Sequence, residues 1–162
     1  MTTPQFSRSV SEWLACAQQA PQHAHREWTE RGIALLPLGQ RFNTVHLPAP
    51  LVHAAVGSTD IDQVHATLAE LLCGPVIHNT PHHAYYPLVE LCLPTRWPYA
   101  DEIHMLGAGQ YLSVPASDLT GPYGVYWAVR PRIPGTLCPV PAVARLVHIA
   151  RTSASRVPHH SG

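Results

Sequence analysis

The sequence predicts an α+β domain of two layers, in which a mixed or antiparallel sheet is covered by helices on one face. Three observations carry that prediction. Near the start, Val10, Trp13, Leu14 and Ala17 recur at helical spacing. From Val76 to Val129 the pattern changes to short runs rich in Val, Ile and Tyr, parted by turns that contain Pro and Gly. Helical spacing then returns at Val143, Leu146, Val147 and Ala150. Helices, a block of strands and a closing helix form the order of an α+β fold rather than of alternating βαβ units. With 162 residues, 46% of them hydrophobic, the chain suffices for one core and is short for two. The expected organisation is N-terminal helices over 1–32, an α+β domain over 33–150 and a loose tail over 151–162.

The elements follow in order. Ser9 and Glu12 fit a capping box, which predicts a first helix over 10–20, stopped by Pro21. A second helical segment runs from Pro21 to Gly32 with Trp28 as its anchor. Ile33–Leu38 and Thr44–Leu47 read as strands joined through Gly39-Gln40-Arg41 into a hairpin. Pro50–Val56 suits a short helix. Asp60 and Gln63 form a second capping box ahead of Ile61, Val64, Leu68, Leu71 and Leu72, and Gly74 is expected to close that helix. Val76–His78, Ala84–Leu93, Ile103–Leu106, Tyr111–Val114 and Val125–Val129 read as strands. Ala142–Ala150 is the final helix.

Charge is balanced overall and unevenly placed. Residues 57–118 carry seven acids against Arg96, whereas 119–162 carry five Arg and no acid. Those five, Arg130, Arg132, Arg145, Arg151 and Arg156, are the candidate basic face for an anionic partner. No apolar run reaches the roughly 18–20 residues of a membrane span, and the first residues lack the basic-then-apolar layout of a signal peptide, so a cytoplasmic protein without membrane contact is expected. Cys16, Cys73, Cys92 and Cys138 are scattered among apolar residues, which predicts buried, reduced thiols rather than a disulfide framework or a zinc site.

Read together, ALLPLGQRFNTVHLP, LCGPVIHN, PHHAYYPLV, LGAGQYLSVPAS and VYW resemble, in order and spacing, the primase-polymerase-like domains common in actinomycetes. The resemblance covers about 33–150 and implies an α+β fold, a nucleotide-binding histidine at His83 and metal-binding carboxylates on two strands. Here the first of those strands, Phe42 to Pro48, contains no acid, and Asn43, His46 and His104 stand where the layout implies carboxylates. Glu102 lies two residues before His104 and would share its strand face. A pair of acids for two-metal phosphoryl transfer is missing.

The expectation is therefore a non-catalytic domain that acts as a binding or accessory protein. A protein partner is preferred, with a nucleotide or nucleic acid as the other ligand classes, and no cofactor is expected. The alternative is a metal-dependent nucleotidyl-transfer enzyme with an unconventional site at His83, Glu102 and His104. Under it, His46, His83 and His104 could hold a divalent metal, since three imidazoles are a competent set. Candidate ligand-binding residues are His46, His83, Tyr85, His104, Trp97, Arg130 and Arg132. His23, His25, His53, His65, His148, His159 and His160 read as scattered surface residues. Trp97, between Arg96 and Pro98, is the aromatic expected to be exposed. Tyr85, Tyr86, Tyr111, Tyr123, Tyr126 and Trp127 suit sheet packing better than a base-stacking platform.

Overall fold

The computed structural model describes residues 3–91 and 97–156. Its helices are α1 (Thr3–Ala15), α2 (Pro21–Arg31), α3 (Ala49–Val56), α4 (Ile61–Leu72) and α5 (Val140–Arg156). Its strands are β1 (Ile33–Pro37), β2 (Asn43–Val45), β3 (Leu47–Pro48), β4 (Val76–Asn79), β5 (Ala84–Val89), β6 (Met105–Leu106), β7 (Tyr111–Pro115) and β8 (Val125–Val129). The α+β class holds, and every strand pairing is antiparallel.

The main sheet runs β6-β2-β5-β4-β8, with β3 also on β5. β2 and β3 keep one continuous register against β5, since Asn43 faces Val89, Thr44 faces Leu88, Leu47 faces Tyr85 and Pro48 faces Ala84. The interruption falls where Pro87 would face Val45, because proline has no N–H to donate to the ladder. On its other edge β2 runs along β6, and the His46 N–H donates to the His104 carbonyl at 3.1 Å.

Alternation along β5 builds two cores. Ala84, Tyr86 and Leu88 join Ile77 and Trp127 in a cluster with α1, α2, β1 and β7. Tyr85 and Val89 point the other way and pack with Val52 of α3, Val64, Leu68 and Leu72 of α4, and Val143, Leu146 and Val147 of α5. Both faces of the sheet are thus covered, which corrects the two-layer expectation. A chain that switches its apolar set at every residue of a fully buried strand has two faces to cover.

Several other expectations change. β1 pairs with β7 rather than forming a hairpin with β2. The Gly39 segment carries the chain between two sheets, with Gly39 at φ +87° against the Ala108 backbone. α1 begins at Thr3, so Ser9 lies inside it rather than capping it. Asp60 does cap α4, its carboxylate accepting from the Gln63 N–H at 3.0 Å. Cys73, not Gly74, takes the left-handed closing position, at φ 57°. Gly74 is needed one residue later, because a Cβ there would lie 2.6 Å from the Cys138 nitrogen. That close crossing lets the Cys138 N–H reach the Leu88 carbonyl at 2.8 Å.

α5 continues to Arg156, so the expected tail is helical over its first part, and 157–162 lies outside the described residues. Cys138 is buried, but Cys16 and Cys73 are exposed and Cys92 lies outside the described residues. β5 ends at Val89, and the rest of the predicted run to Leu93 is partly outside that range. Among the described residues, no helix is long and apolar enough to cross a membrane.

Candidate functional site

The predicted site residues do not meet at one point. The register of β2 with β6 sets His46 beside His104, and the register with β5 sets it beside Tyr86, whose ring centroid is 5.4 Å from that of His46. His46 and His104 therefore share the face that packs toward α1 and α2. Asn43 shares the opposite face with Val45 and Val89, by alternation. His83 sits in the Thr80–His83 turn at φ 51°, exposed, its carbonyl accepting from the Ala49 N–H at 2.8 Å. Glu102 lies in a turn, not on a strand, and its carboxylate pairs with Arg151 of α5 at 2.9 Å. The expected shared face of Glu102 and His104 is thus lost. Among the described residues, no three His, Cys, Asp or Glu side chains are placed to hold one metal ion.

Trp97 is 3% exposed, against expectation. Its indole N–H donates to the Ile103 carbonyl at 2.7 Å, and its ring packs edge-on to Tyr99. The loop folds the indole into the α5-side core, where an aromatic that size gains more than it would in water. Tyr85, Tyr86, Tyr126 and Trp127 pack as predicted, whereas Tyr111 and Tyr123 are exposed.

A polar cluster forms instead inside the core on the α4 side. His78 of β4 is buried, and its Nδ1 lies 2.7 Å from the Tyr126 hydroxyl of β8. The same hydroxyl lies 3.4 Å from His65 Nε2 of α4. One phenol has one proton to donate, so at least one of the two imidazoles must be the donor toward it. His78 also stacks on Tyr85, with centroids 4.1 Å apart and planes 6° from parallel.

Burial holds His78 far below the usual histidine range, at about 4, and the neighbouring His65, His53 and His83 push the same way. His65 is lowered as well by burial, opposed by the Asp62 carboxylate. Both rings are therefore neutral near pH 7. Burial and Tyr126 raise the Tyr85 phenol to about 12. Its hydroxyl has no hydrogen-bond partner among the described residues. Removing an unsatisfied buried hydroxyl relieves its desolvation, so Tyr85→Phe is expected to be neutral or about 1 kcal/mol more stable in urea unfolding. A loss of stability instead would show that the hydroxyl is bonded in solution.

His65 opens this cluster to the surface. It lies on one wall of a cleft of about 620 Å³, together with Ala66, Ala69 and Cys73 of α4. Arg130, Arg132, Ile133 and Thr136, which follow β8, form the other wall. Two predicted ligand-binding residues, Arg130 and Arg132, are thus brought together with a histidine that had read as a surface residue. Neither arginine has a carboxylate partner among the described residues. A larger groove of about 1110 Å³ lies between α2 and the β1–β7 pair. Its α2 wall mixes Arg26 and Arg31 with Glu27 and Glu30, so it favours no sign of charge.

His78, His65 and Tyr126 form a polar cluster inside the core, and His78 stands in β4, a strand buried at all four positions. That run of Val76, Ile77, His78 and Asn79 between turns was the available signal, since a histidine in a short buried strand needs a partner. His65 adjoins Val64 at the border of the apolar stripe of α4, which was the second.

Fold and cluster define an α+β domain with a neutral His–Tyr–His network opening into an arginine-lined cleft. Comparisons with family models, with curated proteins and with solved structures gave no match.

Proposed function

We propose that this chain is a primase-polymerase-like domain acting as a binding or accessory protein rather than as a nucleotidyl transferase. What supports the family part is the order of the motifs over 33–150 together with the antiparallel α+β architecture. The observation that carries the functional part is the disposition of Glu102. It is the one carboxylate that the motif layout offers near His104, and it is paired to Arg151 at 2.9 Å, on the α5 side. His83 stands apart in its turn, where its charge acts on His78 rather than beside His46 and His104. Phosphoryl transfer requires acids and metals converging on one triphosphate.

Calorimetric titration with nucleoside triphosphates, with and without magnesium or manganese, tests this reading. The expected result is no metal-dependent binding and no release of pyrophosphate. Metal-dependent triphosphate binding that disappears in His83→Ala would overturn it and restore the enzymatic alternative.

A further inference from the structure

We propose that the cleft between α4 and the segment after β8 is a binding site for a phosphate monoester carried on a small apolar or ring-shaped group. This deepens the binding reading above, on which it rests, by naming a ligand class and a place for it.

The charge of the cleft is one-sided. Arg130 and Arg132 flank the buried Pro131, are exposed, and line the same space as His65. Among the described residues, no Asp or Glu side chain lines it. Guanidinium groups are the side chains best suited to phosphate oxygens, since each presents a planar fork of donors. Thr120 and Thr136, also at the cleft, add hydroxyl donors. Asp62, one turn before His65 on α4, is an opposing charge that acts on that imidazole.

Shape adds the second requirement. Ala66 and Ala69 are small, and they leave room along α4 where larger side chains would fill the cleft. Ile133 is 64% exposed on the facing wall, and the half-buried Ala128 and Val129 contribute further apolar surface. A cavity of about 620 Å³ falls within the roughly 300–1,000 Å³ of small-molecule sites. Inorganic phosphate alone would leave most of it empty, whereas a nucleoside monophosphate would place its ring against the apolar wall. The same chemistry occurs at the 5′ end of a phosphorylated oligonucleotide.

His65 gives the site a proton linkage. A dianion beside a neutral imidazole favours the imidazolium, so binding should draw in a proton and weaken as pH rises. Tyr126 carries the consequence inward, because a protonated His65 Nε2 can only donate to the phenol. The phenol proton is then available to His78 Nδ1, which accepts it in the Nε2–H tautomer. The other groups facing this pair, His53, His83 and Tyr85, do not line the cleft.

The test is a histidine-resolved NMR titration of the folded protein, without added metal, using inorganic phosphate, adenosine monophosphate and a 5′-phosphorylated oligonucleotide, each beside its unphosphorylated counterpart. The expected result is saturable binding of the phosphorylated probes, with the His65 titration midpoint raised. The Arg130→Ala/Arg132→Ala variant should bind about tenfold more weakly for each guanidinium lost. Arg130→Lys/Arg132→Lys should recover part of that loss. Preference for the monophosphate assigns the site to a free nucleotide, and preference for the oligonucleotide assigns it to a strand end. Absence of saturable binding, or binding undiminished in the double alanine variant, would overturn the proposal. The wider binding reading would then stand or fall separately, on the metal-dependence of triphosphate binding.

Discussion

Acidification from pH 6.5 to pH 4 is expected to lower the stability of this protein by roughly 3 kcal/mol through His78 alone. In the unfolded chain a histidine titrates near 6.5, whereas the folded environment holds His78 at about 4. Between those values the unfolded state binds a proton that the native state refuses. Protonation therefore favours unfolding, and stability rises with pH through this window. The contribution is complete above about 6.5 and lost as pH falls through about 4. Geometry explains the refusal, since the ring is 7% exposed, stacks on Tyr85 and faces His65 at 6.3 Å between centroids. Urea unfolding of the native sequence and of His78→Asn across pH 4–7 measures the effect. Asparagine keeps a side-chain acceptor for Tyr126 and cannot titrate, so its pH curve should be flatter by about that amount. Parallel curves would mean that His78 titrates normally and that its burial is relieved in solution.

Replacing Trp127 by alanine is expected to cost about 3–5 kcal/mol, a large fraction of the roughly 5–15 kcal/mol by which such domains are stable. The indole is 1% exposed in the α1-side core. Its N–H donates to the carbonyls of Ala116 at 2.9 Å and Pro115 at 3.2 Å, where β7 ends. The Trp127 backbone N–H donates to the Leu119 carbonyl at 2.9 Å. One residue thus ties β8 of the main sheet to the end of the β1–β7 pair. Trp127→Phe keeps most of the ring volume and loses the donor, so it should cost less than the alanine change. Denaturant midpoints measured for both variants separate the two contributions. Equal losses would place the energy in the hydrogen bonds rather than in the packing.

Much of the chain was legible residue by residue. The Asp60 cap is a local event, decided by a carboxylate three residues from an N–H that the helix leaves unpaired. The strands over 76–79, 84–89, 111–115 and 125–129 followed from β-branched and aromatic runs bounded by turns. Trp28 and Trp127 read as core and are. Pairing was not legible, because a β1–β2 hairpin is the shorter closure, whereas β1 in fact reaches β7 across about 75 residues. Pro87 alone hinted that the strand facing β5 would break, and its meaning depended on knowing the neighbour.

The candidate site divides along the same line. His46 and His104 come together because the β2–β6 register sets them side by side, and Arg130 and Arg132 share a cleft because the chain turns after β8. Glu102 looked like a strand neighbour of His104 until a turn carried it to Arg151. His65, His78 and Tyr126 are 13 and 48 residues apart in order, so no spacing rule could have joined them. By itself the sequence determined the class of fold, the Asp60 cap, the approximate positions of the strands and the balance of acids and arginines, since each depends on neighbours within a few residues. Only the tertiary structure decided which strands pair, which side of the sheet each histidine faces and which charges share a cleft, because those depend on long-range burial that removes side chains from water together.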